Sequence, residues 1–195
     1  GPLQWTGGGG RVRDDLVVGS QLPAGTVEGT SPRSWLELTF RDGTTFSVAG
    51  QSRLVFSEAE RKKLRLHSGR LYADVRPQPK GHSLLVRTPT ATLDVVGTQF
   101  DVEANTYATA MTVSEGRVRV TRLIDDSAVD VEAGHRVVAA ADRDLHARRV
   151  PVIENAWKSE IDRGPDHTLG RWRTASGDAP AHLASVPYMT EMGFV

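Results

Sequence analysis

Runs in which apolar and polar residues alternate recur from Asp15 to about Ala141, at intervals of about eight to twelve residues, and this recurrence decides the fold class. A period of two sends successive side chains to opposite faces of a strand, so each run offers one face to a core and the other to water. Sandwiches, barrels and solenoids are built from such runs. The clearest are RTPTATLDVVGTQFDVEA at residues 87–104 and MTVSEGRVRV at residues 111–120. They hinge on Gly97 and Gly116, a residue type that turns sharply without straining a side chain.

The other runs read in the same way. WLELTF places Leu36, Leu38 and Phe40 on one face, and TTFSV continues with Phe46 and Val48 after Arg41-Asp42-Gly43, where Asp-Gly between alternating runs signals a hairpin. RLVF at 53–56, KLRL at 63–66 and RLYADV at 70–75 follow; in the last, Leu71, Ala73 and Val75 read as inward and Arg70, Tyr72 and Asp74 as outward. PQPKGH at 77–82 has the composition of a surface loop, and Pro89 marks an edge or a bend. AVDVEAGHRVVAA supplies a last pair of strands around Gly134, for about a dozen in all. An echo of Gly-Arg before an alternating run relates Gly69 to Gly116. SEAERKK at 57–63 reads as a solvated loop, too short for a stable helix. Only VIENAWKSEI at 152–161 has a helical stripe, formed by Ile153, Trp157 and Ile161.

The expected fold is therefore all-β: a stacked antiparallel solenoid-like body or a twisted sandwich, with a short C-terminal helix and an extended tail. Residues 1–11 read as a flexible leader that opens on the Gly1-Pro2 remnant of a cleaved tag. Residues 12–150 form the β domain, and residues 151–195 carry the helix and tail, a linker to a further module. Lys and Arg total 24, as do Asp and Glu, so no global field draws the chain to nucleic acid or to an anionic membrane. The absence of cysteine excludes disulfides and thiolate metal sites. No apolar run approaches the roughly 20 residues that span a bilayer, so a membrane connection would run through a helix outside this sequence.

No catalytic constellation emerges. His67, His82, His135, His146, His167 and His182 are scattered with no metal-ligand spacing, and the glycine run at residues 7–10 lacks the Lys-Ser/Thr of a phosphate loop. No G-x-S-x-G occurs. Thr98 and Phe100 read as turn and packing residues, and Asp42 as an acid that stabilises its own turn. Glu115 beside Gly116 reads as an acceptor for backbone N–H groups at that turn. Asp125-Asp126 falls in a hairpin loop, and Arg61, Lys62 and Lys63 read as a solvated basic face.

Taken in order, Phe40 with Asp42 and Gly43, then Leu64, Leu66 and Gly69, then Thr88 and Pro89 resemble the FecR family. The match continues through Val95, Gly97, Thr98, Phe100 and Val102 to Val113, Glu115, Gly116, Val118 and Val120, and closes on the turn at Gly134. It covers about residues 12–141. The resemblance implies a periplasmic β-rich domain, the soluble part of an inner-membrane-anchored protein whose cytoplasmic segment controls an extracytoplasmic-function sigma factor. Its implied partner is another protein, either an envelope component or the signalling domain of an outer-membrane transporter, and it implies no cofactor. The expected function is a non-enzymatic regulatory or protein-interaction domain. The alternative is a small-ligand or carbohydrate-binding module of a cell-envelope protein, which would display exposed aromatics such as Tyr72 on a concave face.

Overall fold

Wherever the sequence alternates, the backbone is extended. A computed structural model of the protein describes residues 1–58, 61–79 and 81–150. In chain order the strands are β1 Leu3–Gly7, β2 Val12–Arg13, β3 Gly25–Gly29, β4 Trp35–Thr39, β5 Thr45–Glu58, β6 Lys62–Asp74 and β7 Leu84–Arg87. They continue with β8 Ala91–Val95, β9 Gln99–Ala104, β10 Ala108–Glu115, β11 Arg117–Arg122, β12 Ala128–Glu132, β13 His135–Ala140 and β14 Arg148–Arg149. The expected helix at 152–161 and tail, with Trp157, Trp172 and Tyr188, lie outside the described residues.

All fourteen strands belong to one hydrogen-bonded sheet, organised by its longest hairpin. β5 and β6 each absorb two of the short runs, because the register shifts at Ala49–Leu54 instead of breaking. Residues 45–49 pair with 70–74, and residues 53–58 pair with 62–68. The inner half carries β4 on one side and β9, β10, β13 and β14 on the other. The outer half carries β3, β1 and β2 on one side and β7, β8, β11 and β12 on the other. The sheet thus has two wings that share one hairpin. Phe46, Leu71, Phe100 and Met111 of the first wing and Leu54, Leu66, Leu93 and Val120 of the second lie in one contiguous apolar cluster. Phe40 ties them further, standing edge-on to Phe46 at 5.3 Å and to Phe56 at 6.4 Å between ring centroids.

The body is all-β as expected, but several details differ. β6 and β7 run parallel, the exception to an antiparallel plan. The strands flanking Gly134 do not pair with each other: β12 pairs with β11, and β13 with β10 and β14, so that turn carries the chain from one wing to the other. Ser57, Lys62 and Lys63, expected in a loop, are strand residues near the tip of the β5–β6 hairpin. The leader expected at residues 1–11 is likewise structured, because Leu3–Gly7 pairs with both β2 and β3. Its LQWTG pattern buries Trp5 against Gly25, where a Cβ would come within 2.6 Å of the indole Nε1. Even the Pro2 carbonyl is engaged, accepting from Ser34 Oγ.

Candidate functional site

The family-like residues build joints. At one corner, Gly97 packs on Pro77, Gly116 lies against the Gly97 carbonyl and the Thr98 side chain, and the Gly134 N–H donates to the Val113 carbonyl at 2.8 Å. Thr98 is buried there with its backbone paired to Val75 in both directions (2.9 and 3.2 Å), and its Oγ1 has no hydrogen-bond partner. Phe100 follows it into the core, fully buried. Glu115 stands beside a bulge in the β9–β10 register, exposed, and takes no hydrogen bond from the turn, contrary to expectation. Thr88 and Pro89 form a second joint at the β7–β8 bend. The Thr88 and Thr90 hydroxyls both reach Thr109 of the other wing, at 2.6 and 2.8 Å, and Thr90 Oγ1 donates to the Ala139 carbonyl at 2.9 Å. Gly69 makes a third joint, facing Ser52 at the kink of the long hairpin.

Asp42 and Gly43 form the β4–β5 turn, and Asp42 does more than cap it. Its carboxylate accepts from the Thr44 N–H and hydroxyl, each at 3.0 Å, from Gln78 Nε2 at 2.9 Å, and pairs with Lys62 Nζ at 2.8 Å. Burial alone would raise this carboxyl's pKa; the hydrogen bonds from Lys62, Gln78 and Thr44 outweigh it and hold the group well below the ordinary carboxylate range. Arg61 reaches Ser83 and pairs with Asp94 at 3.3 Å. Arg61 and Lys62 are therefore half-buried and hold Ser83 and Gln78 respectively, which corrects their reading as a solvated face.

Tyr72 is corrected too. It lies on the side of β6 opposite Leu71, as alternation requires, yet it is only 3% exposed and its hydroxyl donates to Gln99 Oε1 at 3.3 Å. The aromatic platform of the carbohydrate-binding alternative therefore loses the residue offered for it. Among the described residues no three His, Asp or Glu side chains converge to hold a metal ion, and no helix is long and apolar enough to cross a membrane.

What remains available to a partner is the margin of each wing and a few loop tips. The Phe40 N–H donates to the Thr44 carbonyl and the Gly50 N–H to the Ser34 carbonyl. Alternation between those bonds leaves the backbone groups of Trp35, Glu37 and Thr39 directed away from β5. By the same rule Ala128, Asp130 and Glu132 face away from β11. Exposed apolar side chains crown the loops: Tyr107 at 82%, Ile124 at 69% and Val18 at 96% exposure.

A sequence model described as FecR protein matches residues 26–119. Residues 26–119 are a FecR domain. The match takes in Asp42, Gly43, Gly69, Thr88, Pro89, Gly97, Thr98, Phe100, Glu115 and Gly116; Gly134 lies beyond it. Two crystal structures, each of a candidate anti-sigma factor from Parabacteroides distasonis, share the fold. The one at 1.65 Å has a TM-score of 0.57 and 17% identity over 66% of this chain and 62% of its own. The one at 2.50 Å has a TM-score of 0.56 and 16% identity over 64% of this chain and 59% of its own. The chain thus spans about three fifths of the length of each. No curated protein matches it significantly.

In the FecR domain, sequence reasoning located the turns but missed their partners. Ser52 closes the kink by donating to the Ala49 carbonyl at 2.6 Å and accepting from the Arg70 N–H at 3.1 Å, yet it sits between the runs TTFSV and RLVF and belongs to neither. Strand β1 carried a legible signal, Leu3 and Trp5 two apart, which the glycine run after it obscured.

Proposed function

We propose that this chain is the non-enzymatic, extracytoplasmic domain of a membrane-anchored regulator that controls a sigma factor and receives its signal by binding a protein in the cell envelope. The observation that carries this reading is the FecR match over residues 26–119. The geometry supports it in two ways. The motif residues are engaged in joints, so they are poor candidates for chemistry, whereas β4 and β12 offer backbone that is unpaired among the described residues and to which a partner strand can add. β12 bears Asp130 and Glu132, charges that discourage indiscriminate edge pairing, while β4 bears only Glu37 between the half-buried Leu36 and Leu38.

The experiment is a reporter of sigma-factor-dependent transcription in the source bacterium, with the gene deleted, intact, or carrying Glu37→Pro. The Glu37 N–H makes no ladder bond to β5, so proline there removes an outward donor while leaving the β4–β5 hydrogen bonds in place. Deletion should change reporter output, and Glu37→Pro should abolish the response to signal in a protein that accumulates normally. A reporter indifferent to deletion would overturn the regulatory reading; a normal response from Glu37→Pro would remove β4 as the contact.

A further inference from the structure

The arginines of the last strands are unaccounted for by the joints or the core. Arg136, Arg143, Arg148 and Arg149 line an open cleft of about 350 Å³ in which Asp144 is the one carboxylate, and Val138 and Val150 supply apolar wall. Arg136 and Arg148 stand directly opposite each other in the β13–β14 register. Like charges in that position destabilise a strand pair. Arg148 donates to His146 Nε2 at 2.6 Å, and among the described residues neither it nor Arg149 forms an ion pair. Arg143 is paired with the exposed Asp142 at 3.1 Å, and Arg136 faces Asp101 by register across Thr112 of β10. In a chain of zero formal net charge, this is a local excess of cations kept in an unfavourable arrangement.

The array is also held rigid. Leu145 and Ala147 pack on the core, Arg122 donates to the carbonyls of Ala140 and Arg143, and the Val150 N–H donates to the Gly134 carbonyl at 2.9 Å. A site fixed before its ligand arrives spares the cost of ordering it. The same bond to Gly134 leaves the Arg149 backbone directed away from β13, at the margin of the wing. Guanidinium groups recognise carboxylates in a planar, bidentate fashion.

We propose that this cleft binds an extended acidic segment of a partner protein, whose carboxylates meet the arginines while its apolar side chains rest on Val138 and Val150. The inference rests on the reading of the domain as a protein-binding regulator. An extended peptide uses the cations, the apolar wall and the free margin together; a free phosphate or a lipid headgroup uses the cations alone.

The test is calorimetric titration of the full chain with a capped peptide of alternating Glu and Val, with inorganic phosphate, and with phosphatidylglycerol vesicles, repeated for Arg148→Glu. The peptide should bind saturably and lose affinity as salt rises, and Arg148→Glu should weaken it about tenfold or more. The variant should melt at the same or a higher temperature, because Arg136 then faces a carboxylate. Absence of saturable peptide binding, unchanged affinity in a folded Arg148→Glu protein, or equal binding of phosphate or vesicles would overturn the proposal. Its failure beside a responsive transcription reporter would leave the regulatory reading standing, so the two fail separately.

Discussion

Gly69 and Gly134 both adopt positive φ, +102° and +75°, but only one of them is also crowded. A Cβ on Gly134 meets nothing within 4 Å, whereas one on Gly69 comes within 2.6 Å of Ser52 Cα, a backbone atom that cannot move aside. Gly134→Ala should therefore cost only the conformational penalty, about 1–2 kcal/mol, and Gly69→Ala clearly more, with the midpoints of urea unfolding as the measure. Asp42 makes a prediction of the opposite kind, tied to acid. Its folded carboxyl titrates below its unfolded value of about 4, so its contribution is complete at neutral pH and drains away as pH falls through about 4 towards the lower folded value. Asp42→Asn should lower stability at pH 7 by about 1–3 kcal/mol and flatten its decline below pH 5, measured as thermal midpoint against pH. Asp42 was legible as a turn residue because an Asx turn is local. Its pairing with Lys62 and Gln78 was not, because both come from elements distant in sequence.

Among elements, the β7–β8 bend rests on a small set of hydroxyls. Thr109 of β10 meets both Thr88 and Thr90, so one residue joins the bend of the second wing to the middle of the first. Thr109→Val keeps the shape but takes one partner from each of two hydroxyls, which keep their bonds to Ala91 and to the Ala139 carbonyl, and it should cost about 0.5–1.5 kcal/mol in chemical unfolding. A Thr90→Val companion should then cost less in the Thr109→Val background than alone, the sign of a shared network. The bend itself was announced by Thr88-Pro89, since proline disfavours continuation of a strand. Strand lengths were less legible: alternation locates runs, but the fusion of two runs into β5 and of two into β6 depends on a bulge that keeps pairing across an apparent break. The direction of β7, parallel to β6, has no local signal at all.

At the scale of the whole molecule, the all-β class followed from periodicity because a one-sided strand has to bury that side. The division into two wings did not, because it is set by which distant runs find one another. The arginine cleft escaped notice for the same reason. Arg136 and Arg148 are twelve positions apart in the numbering and become neighbours only when β14 folds onto β13. Net charge, read along the chain, averages such a feature away.

The shared hairpin carries a consequence for how the chain reaches this state. β5 and β6 are close neighbours in the sequence, so they can meet within microseconds, whereas residues 69–74 must wait for residues 99–104 and residues 53–56 must find residues 25–28. Neither wing has a template until the hairpin exists. A slip of one residue beyond the kink would turn Leu54, Leu64 and Leu66 towards water and leave both wings to assemble on the wrong face. The Ser52–Gly69 contact is thus a register lock for folding, and nascent chains that miss it have no productive surface on which to continue.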